Sequence, residues 1–148
     1  MFTLIYYPAY LTAETFQFPT TVYEIAPGAF DGAQLKSIVI PEQIKQIPEY
    51  AFRGAAMETI TLHKGITNVG SNAFAGMANL KEIFIEGNVS IMSAQAFAGL
   101  VGDVNIYFTG YTQAEIVAVA GDAWFKNASE KAHFYFKDTM PEGVEIPK

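Results

Sequence analysis

VYEIAPGAFDGAQLKSIVIPEQ (residues 22–43), IKQIPEYAFRGAAMETITLHKG (44–65), ITNVGSNAFAGMANLKEIFIEGN (66–88) and VSIMSAQAFAGLVGDVNIYFTGY (89–111) are four versions of one unit, and they decide the fold. The units begin at Val22, Ile44, Ile66 and Val89, a period of 22, 22 and then 23 residues. Self-similarity at a fixed period of this length is the signature of a solenoid, in which each unit buries its apolar face against its neighbours. Eight residues into each unit stands a phenylalanine: Phe30, Phe52, Phe74 and Phe97. Alanine precedes each one (Ala29, Ala51, Ala73, Ala96), and glycine follows two residues later (Gly32, Gly54, Gly76, Gly99). The small Ala beside the large Phe predicts a short helical turn pressed on a core, ended by a glycine that takes the left-handed conformation without steric cost. Stacked units then place the four rings in a ladder.

An alternating run follows each turn: Leu35, Ile38 and Ile40 in the first unit, Met57, Ile60 and Leu62 in the second, Leu80, Ile83 and Ile85 in the third. Its last four positions have the period of two that marks a strand. A strand this short needs the strand of the next unit beside it, about 4.8 Å away. The strands are expected to be parallel, each reached by one trip round the coil. The fourth unit departs most, with Asp103 where leucine is expected, and a loosening of the solenoid is expected there.

The pattern L-x-x-I-x-I-P-x-x-I-x-x-I-x-x-x-A-F-x-G, read from Leu35 to Gly54, closely resembles the BspA-type leucine-rich repeat, over residues 22–108 strongly and over the flanks loosely. The commoner leucine-rich signature is met only in part, since Asn88 holds its asparagine position while Gln43 and Gly65 replace it elsewhere. The resemblance implies an α/β leucine-rich repeat fold: a right-handed solenoid with parallel strands on the concave face and the A-F turns on the convex side. It also implies a secreted or cell-surface microbial protein, commonly an adhesin, and no enzymatic activity.

The flanks read as the ends of one domain over residues 1–148. In residues 1–21, Phe2, Ile5, Tyr7 and Pro8 echo the strand pattern, and Phe16, Phe18 and Pro19 echo it again. The two runs lie 11 residues apart, which leaves no room for a full turn of the coil. TFQFP is therefore expected to be the first rung, with FTLIYYP as an extra strand beside it in a hairpin through Ala9–Ala13. The four repeats occupy 22–110. Within 111–137, Thr112 and Glu115 have capping-box spacing. Ile116, Val119, Ala120 and Ala123 mark one face of a helix, Trp124 is the plug of a capping helix, and residues 132–137 form a last strand. Residues 138–148 read as a polar tail or the stub of a further repeat.

A chain of 148 residues with 51% hydrophobic content can build a continuous core. Nine basic against fifteen acidic residues give a net charge of −6, which argues against nucleic acid or an anionic membrane surface as partner. Cysteine is absent, which removes disulfides and thiolate metal sites. No apolar run approaches a membrane span. The start, MFTLIYYPAY, lacks the basic leader and cleavage site of a signal peptide. With the family's surface location, this predicts an excised domain whose secretion signal lies elsewhere or has been removed.

Signatures of chemistry are missing. His63 and His133 fall about three rungs apart, roughly 15 Å at strand spacing, too far to share a metal. No H-E-x-x-H, G-x-S-x-G, phosphate loop or calcium loop occurs, so neither cofactor nor metal is expected. Sequons occur at Asn88 and Asn127. The functional candidates are the strand positions that face away from the core: Gln17, Val39, Thr61, Phe84, Tyr107 and Tyr135 on successive rungs. Three aromatics in a row on an outer face would be exposed, and exposed aromatics dominate binding hot spots. Phe84, Tyr107 and Tyr135, flanked by Glu82, Glu86 and Asn105, with Thr109, His133 and Lys137 nearby, form the expected partner-binding strip. The partner is expected to be an extracellular or host protein, or else a glycan. Against this stands a structural spacer whose rings only pack on one another.

Overall fold

A computed structural model describes residues 1–146. Its elements, in chain order, are β1 (Phe2–Leu4), β2 (Thr15–Phe16), β3 (Val22–Ile25), β4 (Ser37–Ile38), β5 (Gln46–Ile47), β6 (Thr59–Leu62), β7 (Asn68–Val69), β8 (Glu82–Ile85), β9 (Ile91–Met92), β10 (Val104–Phe108), α1 (Gln113–Ala120), α2 (Ala123–Lys126) and β11 (Ala132–Tyr135). All strand pairs are parallel, and the pairing repeats at the period of the sequence. The chain is a parallel-strand solenoid.

Each coil supplies two strands, not one. One column runs β2–β4, then β6–β8–β10–β11; the other runs β1–β3, then β5–β7–β9. The second column is a correction to the sequence reading, which expected one strand per unit, after the A-F turn. Its strands after β3 are two residues long, so period-two alternation has no length in which to show. Between the columns lies one core, filled by Ile47, Val69 and Met92 from one side and Ile60, Ile83 and Ile106 from the other.

The A-F-x-G block forms a hydrogen-bonded turn, with no α-helix assigned to it. Its backbone donors alternate between two destinations. Ala29, Asp31 and Ala33 donate within the turn, to Ala26, Gly28 and Phe30. Gly28, Phe30 and Gly32 donate to Glu49, Ala51 and Arg53 of the next coil. This alternation requires left-handed residues, and Gly32, Gly54, Gly76 and Gly99 have φ between 67° and 71°. Gly28, Tyr50 and Asn72 occupy a second left-handed position four residues earlier. The ring ladder stacks as expected: Phe30–Phe52, Phe52–Phe74 and Phe74–Phe97 centroids are 5.5, 6.3 and 6.1 Å apart. All four rings are fully buried, worth about 1.5–3 kcal/mol each.

The N-terminal segment corrects the expected hairpin. β1 pairs with β3, not with the TFQFP rung, and β2 pairs with β4. Tyr7 is buried, stacks on Phe30 at 5.7 Å and donates its backbone N–H to Ala29 at 2.7 Å. It therefore takes the ladder place of a phenylalanine, and residues 7–13 make a shortened turn in the space too short for a full one.

The fourth unit does not loosen. β10 is the longest strand and keeps register with β8, from Asn105↔Glu82 to Phe108↔Ile85. Val104 and Leu100 are buried, while Asp103 turns outward to His133. The Thr112–Glu115 capping box forms as expected. On α1, however, Ile116 is buried with Val117 and Ala120 against the core, while Val119 and Ala123 are exposed. Gly121, at φ 73°, breaks the helix before α2, so the expected single face does not run through it. Trp124 is fully buried against Phe97, Phe108 and Phe134, its indole N–H donating to Gly121 at 2.7 Å. β11 pairs with β10 over Ala132–Tyr135. Of the expected tail, Pro147 and Lys148 lie outside the described residues.

Candidate functional site

The face of the β6–β8–β10–β11 sheet that points away from the core carries the predicted strip. Parallel pairing puts Thr61, Phe84, Tyr107 and Tyr135 in one row. Ile60, Ile83 and Ile106 point the other way into the core, to which Phe84 and Tyr107 do not belong. Phe84 stacks on Tyr107 at 5.0 Å and 20°, and Tyr107 on Tyr135 at 5.3 Å and 22°.

The expectation of exposed rings is not met. Phe84 and Tyr107 are 2% and 5% exposed. Each ring covers its neighbour. Glu82, Glu86, Asn105 and Tyr135 are half-buried and form the accessible surface of this ridge. Burial holds the Tyr107 phenol above its ordinary pKa; the Glu82 carboxylate adds to the effect and a hydrogen bond with Asn105 opposes it.

Beyond Phe84 the row has no further ring, and Thr61, Val39 and Gln17 follow. A hollow of about 450 Å³ lies over β2 and β4, lined by Phe16, Gln17, Phe18, Ser37, Val39 and Pro41. Val39 is 79% exposed within it. The sequence signal was available: a branched aliphatic residue at an outward strand position with nothing to bury it. Ridge and hollow together make a stepped surface, with Glu82 and Glu86 on the ridge and a mixed hollow in which Phe16, Phe18, Val39 and Pro41 stand beside Thr15, Gln17 and Ser37.

The histidines stay apart and serve local ties. His63 Nε2 donates to the Ile44 carbonyl at 2.9 Å while its Nδ1 accepts from the Gly65 N–H at 3.0 Å, so both ring nitrogens are taken. His133 Nε2 meets Asp103 Oδ1 at 3.0 Å, and this bond, with the nearby Lys131, holds the Asp103 carboxyl below its usual range. Among the described residues no three His, Cys, Asp or Glu side chains are grouped to hold a metal ion. Of the sequons, Asn127 is exposed, whereas the Asn88 Oδ1 is buried without a partner.

Six copies of the region described as BspA type leucine rich repeat match residues 6–129. The chain belongs to the BspA-type leucine-rich repeat family. Comparison with curated proteins gives no match. Among solved structures, the BspA-type coil here is similar to the crystal structure of the pneumococcal vaccine antigen PcpA. Sequence identity is 18% and the TM-score 0.54, over 90% of this chain and 44% of that one. At that identity the likeness is one of fold. The chain thus spans less than half the length of PcpA. No helix among the described residues is long and apolar enough to cross a membrane.

Proposed function

We propose that this chain is a non-enzymatic protein-binding solenoid, an adhesin or host-interaction module displayed on a microbial cell surface. The carrying observation is the stepped outer face, where the stacked row Phe84–Tyr107–Tyr135 ends at the open hollow around Val39. In this reading the solenoid is right-handed, the stepped face is its concave side, the A-F turns form the convex side, and α1 with α2 caps the C-terminal end. Phe84 and Tyr107 act as a rigid platform. The contacts are made by Tyr135, Glu82, Glu86 and Asn105 on the ridge and by Val39 in the hollow. The ligand is an extracellular protein segment with basic and apolar side chains, to suit the glutamates and the hollow. The description of PcpA as a vaccine antigen supports the surface placement.

The burial of Phe84 and Tyr107 favours a second reading, a spacer whose rings only brace the sheet. Binding to a panel of extracellular matrix and plasma proteins separates the two. Saturable binding that Val39→Lys and Glu86→Lys each weaken at least tenfold, with the thermal melt unchanged, supports recognition at this face. Binding indifferent to both substitutions moves the site to the convex face or the loops, and no binding favours the spacer.

A further inference from the structure

Both columns of strands are interrupted at the same junction. β3 and β5 are not hydrogen-bonded partners, and neither are β4 and β6, although every other consecutive pair in the two columns is bonded. Both gaps fall between the unit at residues 22–43 and the unit at residues 44–65.

The second column shows a cause. Four residues into their units, the N–H groups of Ala26, Gly70 and Ser93 donate to Leu4, Ile47 and Val69 of the preceding rung, at 2.8, 2.8 and 2.9 Å. Pro48 holds this place in the remaining unit. It has no N–H, so it cannot bond the Ile25 carbonyl. In the first column the bonds that frame each strand pair are missing at the junction. Lys36 and Lys81 donate to Glu14 and Glu58 where strands begin, at 3.1 and 2.8 Å. Glu86 and Thr109 donate to Leu62 and Ile85 where strands end, both at 3.0 Å. Among the described residues the counterparts, Glu58 to Lys36 and His63 to Ile40, are not formed. Side chains repeat the break. Glu14 pairs with Lys36 at 2.8 Å and Glu58 with Lys81 at 3.4 Å, and among the described residues no ion pair joins Lys36 to Glu58.

The A-F turns tie the same two units together. Gly28, Phe30 and Gly32 donate to Glu49, Ala51 and Arg53, and the Arg53 guanidinium pairs with Asp31. Phe30–Phe52, at 5.5 Å, is the shortest step of the ring ladder. A junction bonded along one side and unbonded along two others can bend without breaking a backbone bond. The buried core runs through it and holds the bend to small angles.

We propose that this junction is a hinge, at which residues 1–43 rock against the following coils about the A-F turn. Val39 lies on one side of it and Thr61, Phe84 and Tyr107 on the other. Rocking therefore alters the step between hollow and ridge, on the face assigned above to recognition.

Amide relaxation dispersion, which reads motion on the μs–ms scale, tests this on the whole chain without a ligand, so the outcome is independent of the binding reading. Exchange contributions are expected at Tyr23, Ile38, Lys45 and Thr59 and not at Asn68, Ile83, Ile91 or Ile106. The chain has no cysteine of its own, and outward neighbours on adjacent rungs, about 4.8 Å apart, are within reach of a disulfide. Oxidised Val39→Cys/Thr61→Cys, closed across the junction, is expected to lose the exchange and to regain it on reduction. Gln46→Cys/Asn68→Cys, across the bonded pair β5–β7, is expected to keep it. Pro48→Ala is an independent lock, since it supplies the missing donor, and is expected to diminish the exchange at Tyr23 and Lys45. Dispersion that is absent, or equal along both columns, overturns the hinge. So does exchange that survives both the closed Val39→Cys/Thr61→Cys bridge and Pro48→Ala.

Discussion

Phe84 and Tyr107 stack at 5.0 Å on the face of the sheet opposite the core, and each leaves the other almost no surface for solvent. The pair behaves as a second, thin core on the outside of the sheet. Phe84→Ala is accordingly expected to destabilise by about 2–4 kcal/mol, in the range of interior truncations. Tyr135→Ala, at the half-buried end of the row, is expected to cost under about 1.5 kcal/mol. Urea denaturation of both variants checks the order. Equal small losses would mean the rings are not packed as described.

Extending the row should stabilise it. Thr61 is the cross-strand neighbour of Phe84. Thr61→Phe is expected to add about 0.5–1 kcal/mol, the range of an aromatic cross-strand pair, read as a higher denaturation midpoint at unchanged slope.

The turn glycines differ in what surrounds them. A Cβ at Gly99 would lie 2.8 Å from the Ala75 Cβ, whereas at Gly54 nothing lies nearer than 3.8 Å. Both have positive φ, so each alanine substitution costs about 1–2 kcal/mol for the left-handed backbone. Gly99→Ala is expected to cost more than Gly54→Ala by the added clash, as thermal melts of the two variants would show.

Glu115 accepts the backbone N–H and the hydroxyl of Thr112, and these bonds hold its carboxyl below the ordinary range. A depressed folded pKa contributes stability that is fully present above the unfolded value, about 4.3, and is lost as pH falls through the folded one. Glu115→Gln is therefore expected to lower the melting temperature slightly at pH 7 and to converge with wild type at about pH 2. Melts across that range would show the convergence; a constant offset would place the effect elsewhere.

What was legible in the sequence was whatever repeats. Ala29–Phe30 and its three echoes announced the ladder because identical environments select identical residues. Tyr7 escaped because its turn is shortened and its ring carries a hydroxyl, so neither spacing nor residue matched. The second strand column escaped because Gln46–Ile47 and Asn68–Val69 are too short to show alternation. The row Thr61–Phe84–Tyr107–Tyr135 was placed correctly by register, but its burial was not. Exposure depends on what stands 22 to 28 residues away, and local pattern does not report how rings from different coils lie on one another. The Val39 hollow followed the same logic in reverse: its row neighbours, Gln17 and Thr61, bring no ring to cover it.

The turns, finally, constrain how this molecule can change length. The A-F turns at Phe30 and Phe52 give every second N–H to their own coil and the others to the next. A single inserted residue there would swap donors that face inward along the coil for donors that face its neighbour, and the mismatch would reach the next turn. Insertion of a whole period leaves every donor with an equivalent acceptor. The chain can therefore grow or shrink in steps of one coil, and copying a 22-residue unit in the gene changes its length without changing any interface it already has.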